Sequence, residues 1–255
     1  WFCRGGHLWR LDPETLEEQQ ACALEGAGPA AGVFGAISHD GQYYFAQTTS
    51  PEGEPLLLRC ATDGSGTRLL RRGSEVRLHW ACADGAGELL CLIRKQDSRW
   101  VIFTTDLEGA DERVIGENVY AHSTWLHGTG RIQGCALPPE RAILTQASGE
   151  AEPTVLCRGP YFWHSASSQD GQWIVADTNW PNEGLQLVHV ASGRYGLLCH
   201  PGNSAGHPQW THPHPFFTPD GGAVVYQSDA TGVCQLYIIQ IPDDLRAQLS
   251  QQAKG

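Results

Sequence analysis

Histidines near the C-terminal end of the sequence have the spacing of residues that share a metal ion. The densest segment is His207-Pro-Gln-Trp-Thr-His-Pro-His-Pro, which contains Gln209, His212 and His214. In an extended strand, residues two apart point to the same side, so His212 and His214 can face one ion. The proline after each of these histidines restricts the backbone and limits the directions in which the imidazoles point. The alternative is that they are half-buried polar residues that cap a turn.

Two earlier histidines occupy positions that match this segment. His164 and His214 each lie seven residues before the glycine of an Asp-Gly turn, and His122 lies eight residues before the glycine of a Gly-Thr-Gly turn. If these turns mark equivalent points of a structural repeat, the histidines lie beside one another although they are distant in sequence. The imidazoles of His164, His212 and His214, with the amide oxygen of Gln209, suit a borderline divalent ion such as manganese, iron, zinc or nickel.

His122 is a candidate general base, because an imidazole titrates near neutral pH and can accept a proton there. From spacing alone, a structural role in a turn is equally compatible with the sequence. His127 lies in the turn itself, and we expect it to face solvent.

The arginine that would bind a carboxylated substrate is harder to select. Arg99 begins an apolar strand about one repeat before His122. The other candidates are Arg77, Arg94, Arg131 and Arg158.

A repeated turn and strand predicts the fold that positions these residues. Five turns, at Gly41, Gly85, Gly130, Gly171 and Gly221, are 44, 45, 41 and 50 residues apart. Each is followed by a strand rich in apolar, β-branched or aromatic residues, and Asp-Gly is a strong signal for a hairpin turn. Second hairpins between these turns give four short strands per repeat, which is the blade of a β-propeller. A β-sandwich is the alternative, and the regular spacing disfavours it.

The composition is typical of a turn-rich, globular β protein. Of 255 residues, 41% are hydrophobic and 18% are charged, and the chain contains 30 Gly and 15 Pro. We recognise neither an apolar run long enough to span a membrane nor a signal peptide.

The net charge of −11, without a basic stripe, argues against a nucleic-acid partner. An acidic chain can still bind an acidic sugar where a few cations converge on one cleft. The nine cysteines are not closely paired, so we expect a reducing, cytoplasmic compartment.

Three segments resemble the oligogalacturonate lyases of polysaccharide lyase family 22. They are Ala121-His-Ser-Thr-Trp-Leu, Trp163-His-Ser-Ala-Ser-Ser-Gln-Asp-Gly-Gln-Trp-Ile-Val-Ala-Asp and, most specifically, Gln209-Trp-Thr-His-Pro-His-Pro. The resemblance covers nearly the whole chain and implies one seven-bladed β-propeller domain over residues 1–255, of which about five full blades and a partial one are visible. We expect the first blade and part of the next to be absent, and residues 243–255 to form a helix or C-terminal tail.

The resemblance also implies an activity and the residues that perform it. The activity is metal-dependent cleavage of short oligogalacturonates, which are pectin fragments, by β-elimination to a 4,5-unsaturated uronate. The implied ligands of a manganese ion, or of another divalent transition metal, are His164, Gln209, His212 and His214. His122 matches the catalytic base, and Arg99 is the best match to an arginine that helps to hold the substrate carboxylate. Arg77 and Arg131 are further candidates for substrate binding.

Three other functions remain open at this point. A non-catalytic propeller that binds a protein or carbohydrate partner shares the Asp-Gly turns, but it does not need histidines at matched positions of three repeats. The propeller portion of a serine peptidase would need a following hydrolase domain. Within the lyases, the substrate could be another uronate, such as ulvan or a glucuronan fragment.

Overall fold

Short antiparallel strands make up most of the molecule. The computed structural model describes residues 1–12, 14–28, 34–38, 40–73, 76–84, 87–117, 119–204, 206–207 and 210–251. Strands account for 53% of the chain and helix for 4%, which confirms the all-β prediction. The described strands form six antiparallel sheets, in each of which consecutive strands are neighbours. Among the residues described, no helix is long and apolar enough to cross a membrane.

The chain divides into two compact units, and the first extends from Trp1 to Asn118. Its first sheet consists of β1 (Phe2–Arg4), β2 (His7–Leu11) and β3 (Glu18–Ala23). The second consists of β4 (Phe34–Ile37), β5 (Tyr43–Thr49), β6 (Pro55–Ala61) and β7 (Thr67–Arg72). The third consists of β8 (Val76–Asp84), β9 (Gly87–Gln96), β10 (Arg99–Thr105) and β11 (Arg113–Glu117).

The second unit extends from Val119 to Gly255 and also contains three sheets. The first consists of β12 (Tyr120–Leu126), β13 (Arg131–Ala136), β14 (Ala142–Ala147) and β15 (Thr154–Arg158). The next consists of β16 (Phe162–Ser167), β17 (Trp173–Thr178), β18 (Leu185–His189) and β19 (Arg194–Cys199). The last consists of β20 (Phe216–Phe217), β21 (Ala223–Ser228) and β22 (Gln235–Gln240). Four of the six sheets therefore have the four-stranded antiparallel form of a propeller blade.

The repeated glycines take the left-handed conformation that their turns require. The φ angle lies between 66° and 72° at Gly41, Gly130, Gly171 and Gly221. Glycine adopts this conformation without the steric cost that a Cβ atom would add. In the turn at Gly171, the Asp170 carboxylate accepts a hydrogen bond of 2.5 Å from the Ser168 hydroxyl, which fixes the hairpin. The predicted turn at Gly85 lies outside the described residues.

Strand β17, in the sheet of β16 to β19, is covered by packed side chains on both faces. Every residue of β17 is buried, and alternate residues along it belong to different core clusters. Ile174 and Ala176 pack in one cluster, while Trp173 and Val175 pack in the other. This alternation follows from the two-residue period of a strand. Asp177, the penultimate residue of the same strand, is also removed from solvent and is 2% exposed.

The one described helix, α1 (Asp243–Ser250), follows the last strand. It contacts β18 and β19, and its Leu249 is 1% exposed in the core that these strands share. The Ser192 hydroxyl donates a hydrogen bond of 2.8 Å to the Leu249 carbonyl oxygen. Residues 243–250 therefore form a helix that is packed against the last two strands of the preceding sheet.

The described cysteines are free thiols. Those buried in the core are Cys22, Cys60, Cys91, Cys135 and Cys157. Burial disfavours the thiolate, and it raises the pKa of Cys60 and of Cys91 to about 12. These side chains therefore behave as small apolar residues of the strands.

Candidate metal and catalytic site

The structure brings four of the predicted histidines together in the second unit. His122 lies in β12 and His164 in β16, which contact one another as the first strands of two sheets. His212 and His214 lie in the segment that leads into β20. The ring centroid of His164 is 4.2 Å from that of His122, 3.9 Å from that of His214 and 5.6 Å from that of His212. His164 is therefore the centre of the cluster.

A register shift interrupts the strand pairing directly before His122 and at His164. The register of β12 against β13 shifts between Tyr120 and His122, and the register of β16 against β17 shifts between Phe162 and Ser165. A bulge inserts a residue into one strand and re-aims the side chains beside it. Both shifts lie in the first strand of a sheet, next to or at the histidine that the strand carries.

The backbone of His214 has a conformation that is uncommon for a residue with a side chain. Its φ angle is +45°, in the left-handed region. The backbone N–H of His214 donates a hydrogen bond of 3.3 Å to Asp177 Oδ2, which helps to hold this conformation. Residues kept in such sparsely populated conformations are concentrated at functional sites.

Asp177 is the buried acceptor that organises the cluster. Its carboxylate accepts hydrogen bonds from the backbone N–H of His164 at 2.7 Å and from the His164 ring nitrogen Nδ1 at 2.9 Å. Together with the bond from His214, these contacts tie two histidine-bearing segments to one side chain. Sequence reasoning assigned no role to Asp177. The available signal was a single carboxylate in the otherwise apolar strand Trp173-Ile-Val-Ala-Asp-Thr.

Hydrogen bonds to Nδ1 fix which nitrogen of each ring is available. His122 Nδ1 lies 2.9 Å from the Trp163 carbonyl oxygen, and His214 Nδ1 lies 2.8 Å from the His212 carbonyl oxygen. A carbonyl oxygen only accepts, so both rings carry their proton on Nδ1, and the carboxylate of Asp177 favours the same tautomer of His164. The lone pair of each neutral ring is then on Nε2. This is the arrangement in which histidines bind metal ions or accept protons.

His212 differs from the other three because its polar atoms are poorly satisfied. The residue is 5% exposed, and its Nδ1 is buried without a hydrogen-bond partner. Its Nε2 lies 3.5 Å from the side-chain amide of Asn179, a weak contact at best. A buried nitrogen without a partner is costly, and a bound ion would remove that cost.

The three histidines proposed as ligands are of the kind that binds divalent metal ions, and their rings are near one another. The ring centroids of His164, His212 and His214 are 3.9 to 6.4 Å apart, and an imidazole nitrogen binds an ion at about 2.0–2.1 Å. Across the part of the chain that the structure describes, no three His, Cys, Asp or Glu side chains already surround a common point. Binding would therefore require the imidazoles to turn towards the ion.

The predicted amide ligand, Gln209, lies outside the described residues. Another amide, Gln227 in β21, lies in this region and was not selected from the sequence. Its Nε2 donates hydrogen bonds to the carbonyl oxygens of His212 at 2.7 Å and Trp210 at 3.3 Å. It also lies 3.2 Å from His214 Nδ1. Because both amide hydrogens are committed to carbonyl oxygens, this last contact leaves the His214 tautomer unchanged.

Burial lowers the pKa of three histidines of the cluster, His122, His212 and His214. Burial, and then the neighbouring His164, lower the pKa of His122 to about 4. Burial also lowers the pKa of His212 and of His214 below the usual value. A neutral imidazole is the form that can accept a proton or bind a metal ion. At neutral pH these three side chains are therefore in the form that the expected chemistry needs.

Aromatic rings adjoin the histidine cluster. The ring centroid of Trp163 is 4.8 Å from that of His122, in an edge-to-face arrangement. Trp180 lies 5.1 Å from Trp163, and Tyr161 lies 5.8 Å from Trp163 and 5.7 Å from Trp180. Tyr161 is buried, whereas Trp180 is 63% exposed. The cluster therefore has an aromatic wall that reaches the surface.

The candidate arginines form ion pairs within their own sheets. Arg99, at the start of β10, lies 3.2 Å from Glu117, and its side chain is 72% exposed. Arg131 makes a two-point contact with Glu150, at 2.6 and 2.8 Å. A substrate carboxylate would have to displace Glu150 from Arg131. Arg77 lies in β8, and its side chain is outside the described part of the structure.

The sequence also contains Gly202-Asn-Ser-Ala-Gly, which matches the Gly-x-Ser-x-Gly pattern of serine hydrolases. The nucleophile of that motif stands on a sharp turn between a strand and a helix. Ser204 instead follows β19 in a segment without regular structure, and its hydroxyl donates a hydrogen bond of 2.5 Å to Asp229. This serine is therefore held by a carboxylate in a loop and lacks the setting of a nucleophile elbow.

Comparison with solved structures identifies the fold as a β-propeller. An oligogalacturonate lyase in complex with manganese aligns with a TM-score of 0.72 and 18% identity, over 95% of this chain and 73% of that chain. An oligogalacturonate lyase from Vibrio parahaemolyticus aligns with a TM-score of 0.71 and 17% identity, over 94% and 74%. TolB from Acinetobacter baumannii also aligns with a TM-score of 0.71, at 12% identity, over 92% and 57%. Identities this low establish a shared fold only.

Sequence comparison adds no assignment. No protein-family model matches the chain, and no curated protein is similar to it in sequence. An assignment of function therefore depends on the geometry of the histidine cluster.

Proposed function

We propose that this protein is a metal-dependent lyase that cleaves short oligogalacturonates by β-elimination. The main support is the relation of His122 to His164, whose rings are 4.2 Å apart while each Nδ1 is bonded to an acceptor of the protein. This arrangement leaves one Nε2 for a metal ion and another Nε2 beside it for a proton. The likeness in fold to a manganese-bound oligogalacturonate lyase makes oligogalacturonate the first substrate to test.

The reaction begins with a proton that is too weakly acidic to leave unaided. This proton is on C5, next to the carboxylate of the uronate. A divalent ion held by His164, His212 and His214 would supply positive charge that stabilises the enolate-like charge developing at that carboxylate. Gln209 is proposed as a further oxygen ligand.

His122 is proposed to remove the C5 proton through Nε2. Its low pKa ensures that it is neutral before substrate binds. The negative charge of a bound uronate then raises that pKa towards the working pH, where a general base is most effective. Arg99 is proposed to hold the carboxylate by a charge-assisted contact. The electrons of the C5–H bond form the C4–C5 double bond as the glycosidic oxygen leaves C4.

The formation of an unsaturated product tests this function directly. Purified protein is mixed with digalacturonate or trigalacturonate, with added manganese or with a chelator, and the ultraviolet absorbance of the 4,5-unsaturated uronate is followed. We expect product in the presence of manganese and very little with the chelator. Absence of product from both substrates with manganese present would reject the proposal.

A second candidate is a propeller without catalysis that binds a protein or carbohydrate partner. It is supported by TolB, which aligns as well as the lyases do, because one fold can carry unrelated functions. Such a protein has no need of a metal ion beside a free imidazole. Stoichiometric manganese binding that is lost in His212→Ala would favour the lyase, whereas a protein that binds no divalent ion would favour this alternative.

A further inference from the structure

Trp180 is a large aromatic residue that the fold holds at the surface. Its side chain is 63% exposed, and its φ angle is +46°, a left-handed conformation that is unfavourable for a bulky residue. Asn179, immediately before it, is buried and bonded through its backbone N–H to the Tyr161 carbonyl oxygen at 2.9 Å. The strained conformation therefore turns one residue outwards from an anchored segment. Strain retained in this way is a reason to look for a function.

Trp180 is connected to the histidine cluster by two routes. Its ring packs against Trp163 at 5.1 Å, and Trp163 packs against His122 at 4.8 Å. The neighbouring residue Asn179 contacts His212 Nε2 at 3.5 Å. The ring centroids of Trp180 and His122 are therefore separated by no more than the sum of these two distances. A separation of that size is comparable to the length of a disaccharide. An indole at this place can touch the sugar unit beside the one that reacts at His122.

A galacturonate ring has a surface suited to such a contact. Its C4 oxygen is axial, so the C–H bonds of C3, C4 and C5 lie together on the opposite face and make that face apolar. An apolar face packs on an aromatic ring through the hydrophobic effect and dispersion, without any charge on the protein. This matters here because the chain has a net charge of −11, which repels an acidic sugar at long range.

We infer that Trp180, supported by Trp163 and Tyr161, is the stacking platform for a galacturonate ring adjoining the bond that is cleaved. The inference rests on the proposed function for the identity of the sugar, and it names a binding residue that the sequence did not suggest. Trp180 acts in binding rather than in the chemical step. Its loss should therefore weaken substrate binding in the ground state and the transition state alike, which raises KM and leaves kcat unchanged.

The kinetic test uses manganese-loaded protein and digalacturonate. Trp180→Ala should raise KM about tenfold, the effect of losing one stacked ring, while kcat stays within about twofold of wild type. Trp180→Phe should retain most of the affinity because it keeps an aromatic face. The matched control is Tyr195→Ala, which removes an aromatic side chain that is 40% exposed on β19, the outermost strand of the sheet that begins with β16. It should leave KM unchanged.

A second measurement does not depend on catalysis. The indole N–H signals of ¹⁵N-labelled, chelator-treated protein are recorded by NMR, and the Trp180 signal is identified by its absence in Trp180→Phe. Addition of digalacturonate should shift this signal. If the wild type forms product, an unchanged KM in Trp180→Ala overturns the platform while the lyase proposal stands. If the wild type forms no product, the NMR titration decides: a shifted Trp180 signal supports the platform, and an unmoved signal overturns it.

Discussion

Asp177 holds His164 by two hydrogen bonds at once, one from the backbone N–H at 2.7 Å and one from Nδ1 at 2.9 Å. The carboxylate is 2% exposed, so water does not compete for it. These two contacts restrict the orientation of the His164 ring and favour the tautomer with its proton on Nδ1. A histidine that is oriented by a carboxylate in this way is a better metal ligand than a free one.

Asp177→Asn is therefore expected to weaken manganese binding by about 10–100-fold, the usual effect of changing the partner of a metal-binding histidine. The substitution keeps the shape of the side chain and removes its charge. Isothermal titration calorimetry with manganese measures the loss. The control, Asp170→Asn, changes an exposed turn aspartate before Gly171 and should leave the affinity unchanged. Equal affinity in Asp177→Asn and wild type would show that this carboxylate does not position the ligand.

Substitution of individual histidines should separate the base from the ligands. His122→Ala removes the proton acceptor and should lower kcat by about 10²–10⁴-fold with manganese affinity nearly unchanged. His212→Ala should instead lower manganese occupancy, and excess manganese should restore part of the activity. His127→Ala, in the turn after β12, should affect neither quantity. Near-normal turnover of oligogalacturonate by His122→Ala would mean that another residue is the base.

Arg99→Ala should raise KM and lower kcat together, because the cation binds the substrate carboxylate in the ground state and binds it more strongly in the transition state, where enolate-like charge develops. The matched control is Arg158→Ala. Arg158 is also an exposed strand arginine paired with one glutamate, Glu140, at 2.6 Å. Initial rates over a range of digalacturonate concentrations measure both parameters. If Arg99→Ala changes neither KM nor kcat, the carboxylate is held by a residue other than Arg99.

The low pKa of His122 predicts that metal-free protein loses stability in mild acid. The folded-state pKa is about 4, below the value of about 6.5 for an unperturbed histidine. The unfolded chain therefore binds more protons between these values, and stability falls as the pH falls through them. From about pH 7.5 to about pH 5, His122 should contribute a loss on the order of 2 kcal/mol. Urea unfolding of wild type and His122→Gln measures this, and an identical pH dependence in both proteins would refute it.

Two equivalent turn glycines should respond differently to alanine. Gly171 and Gly221 have nearly the same φ angle, 66° and 67°. A Cβ atom at Gly221 would meet no neighbour within 4 Å, whereas one at Gly171 would collide with the backbone carbonyl oxygen of His127. Gly221→Ala should therefore cost about 1 kcal/mol from backbone strain alone. Gly171→Ala should cost about 1–3 kcal/mol more. Equal losses in urea unfolding would contradict the collision.

The features that depend on local sequence could be predicted. The Asp-Gly turns determined the repeat, since a positive φ at Gly171 or Gly221 is a property of that dipeptide. The distance from each turn to the preceding histidine then placed His164 beside His214, and their ring centroids are 3.9 Å apart. The role of these residues as metal ligands stays a prediction.

Other parts of the site depend on contacts between strands and could not be inferred. Asp177 contacts His164 at a register shift between β16 and β17. Neither segment contains a sequence signal from which this shift could be predicted. Trp180 became notable only through its exposure and its packing on Trp163. The arginines illustrate the same limit, since the partner of Arg131 is a glutamate 19 residues away on the next hairpin.

The reactivity of the buried cysteine thiols can report where strands of the native protein separate transiently. Cys22, Cys60 and Cys91 lie in three different sheets of the first unit, and Cys135 and Cys157 lie in the first sheet of the second. A thiol in the core is inert to alkylating reagents until its strand separates from its neighbours. Pulse alkylation under native conditions, read out by peptide mass spectrometry, would therefore report which sheets exchange fastest with an open state, without any engineered label.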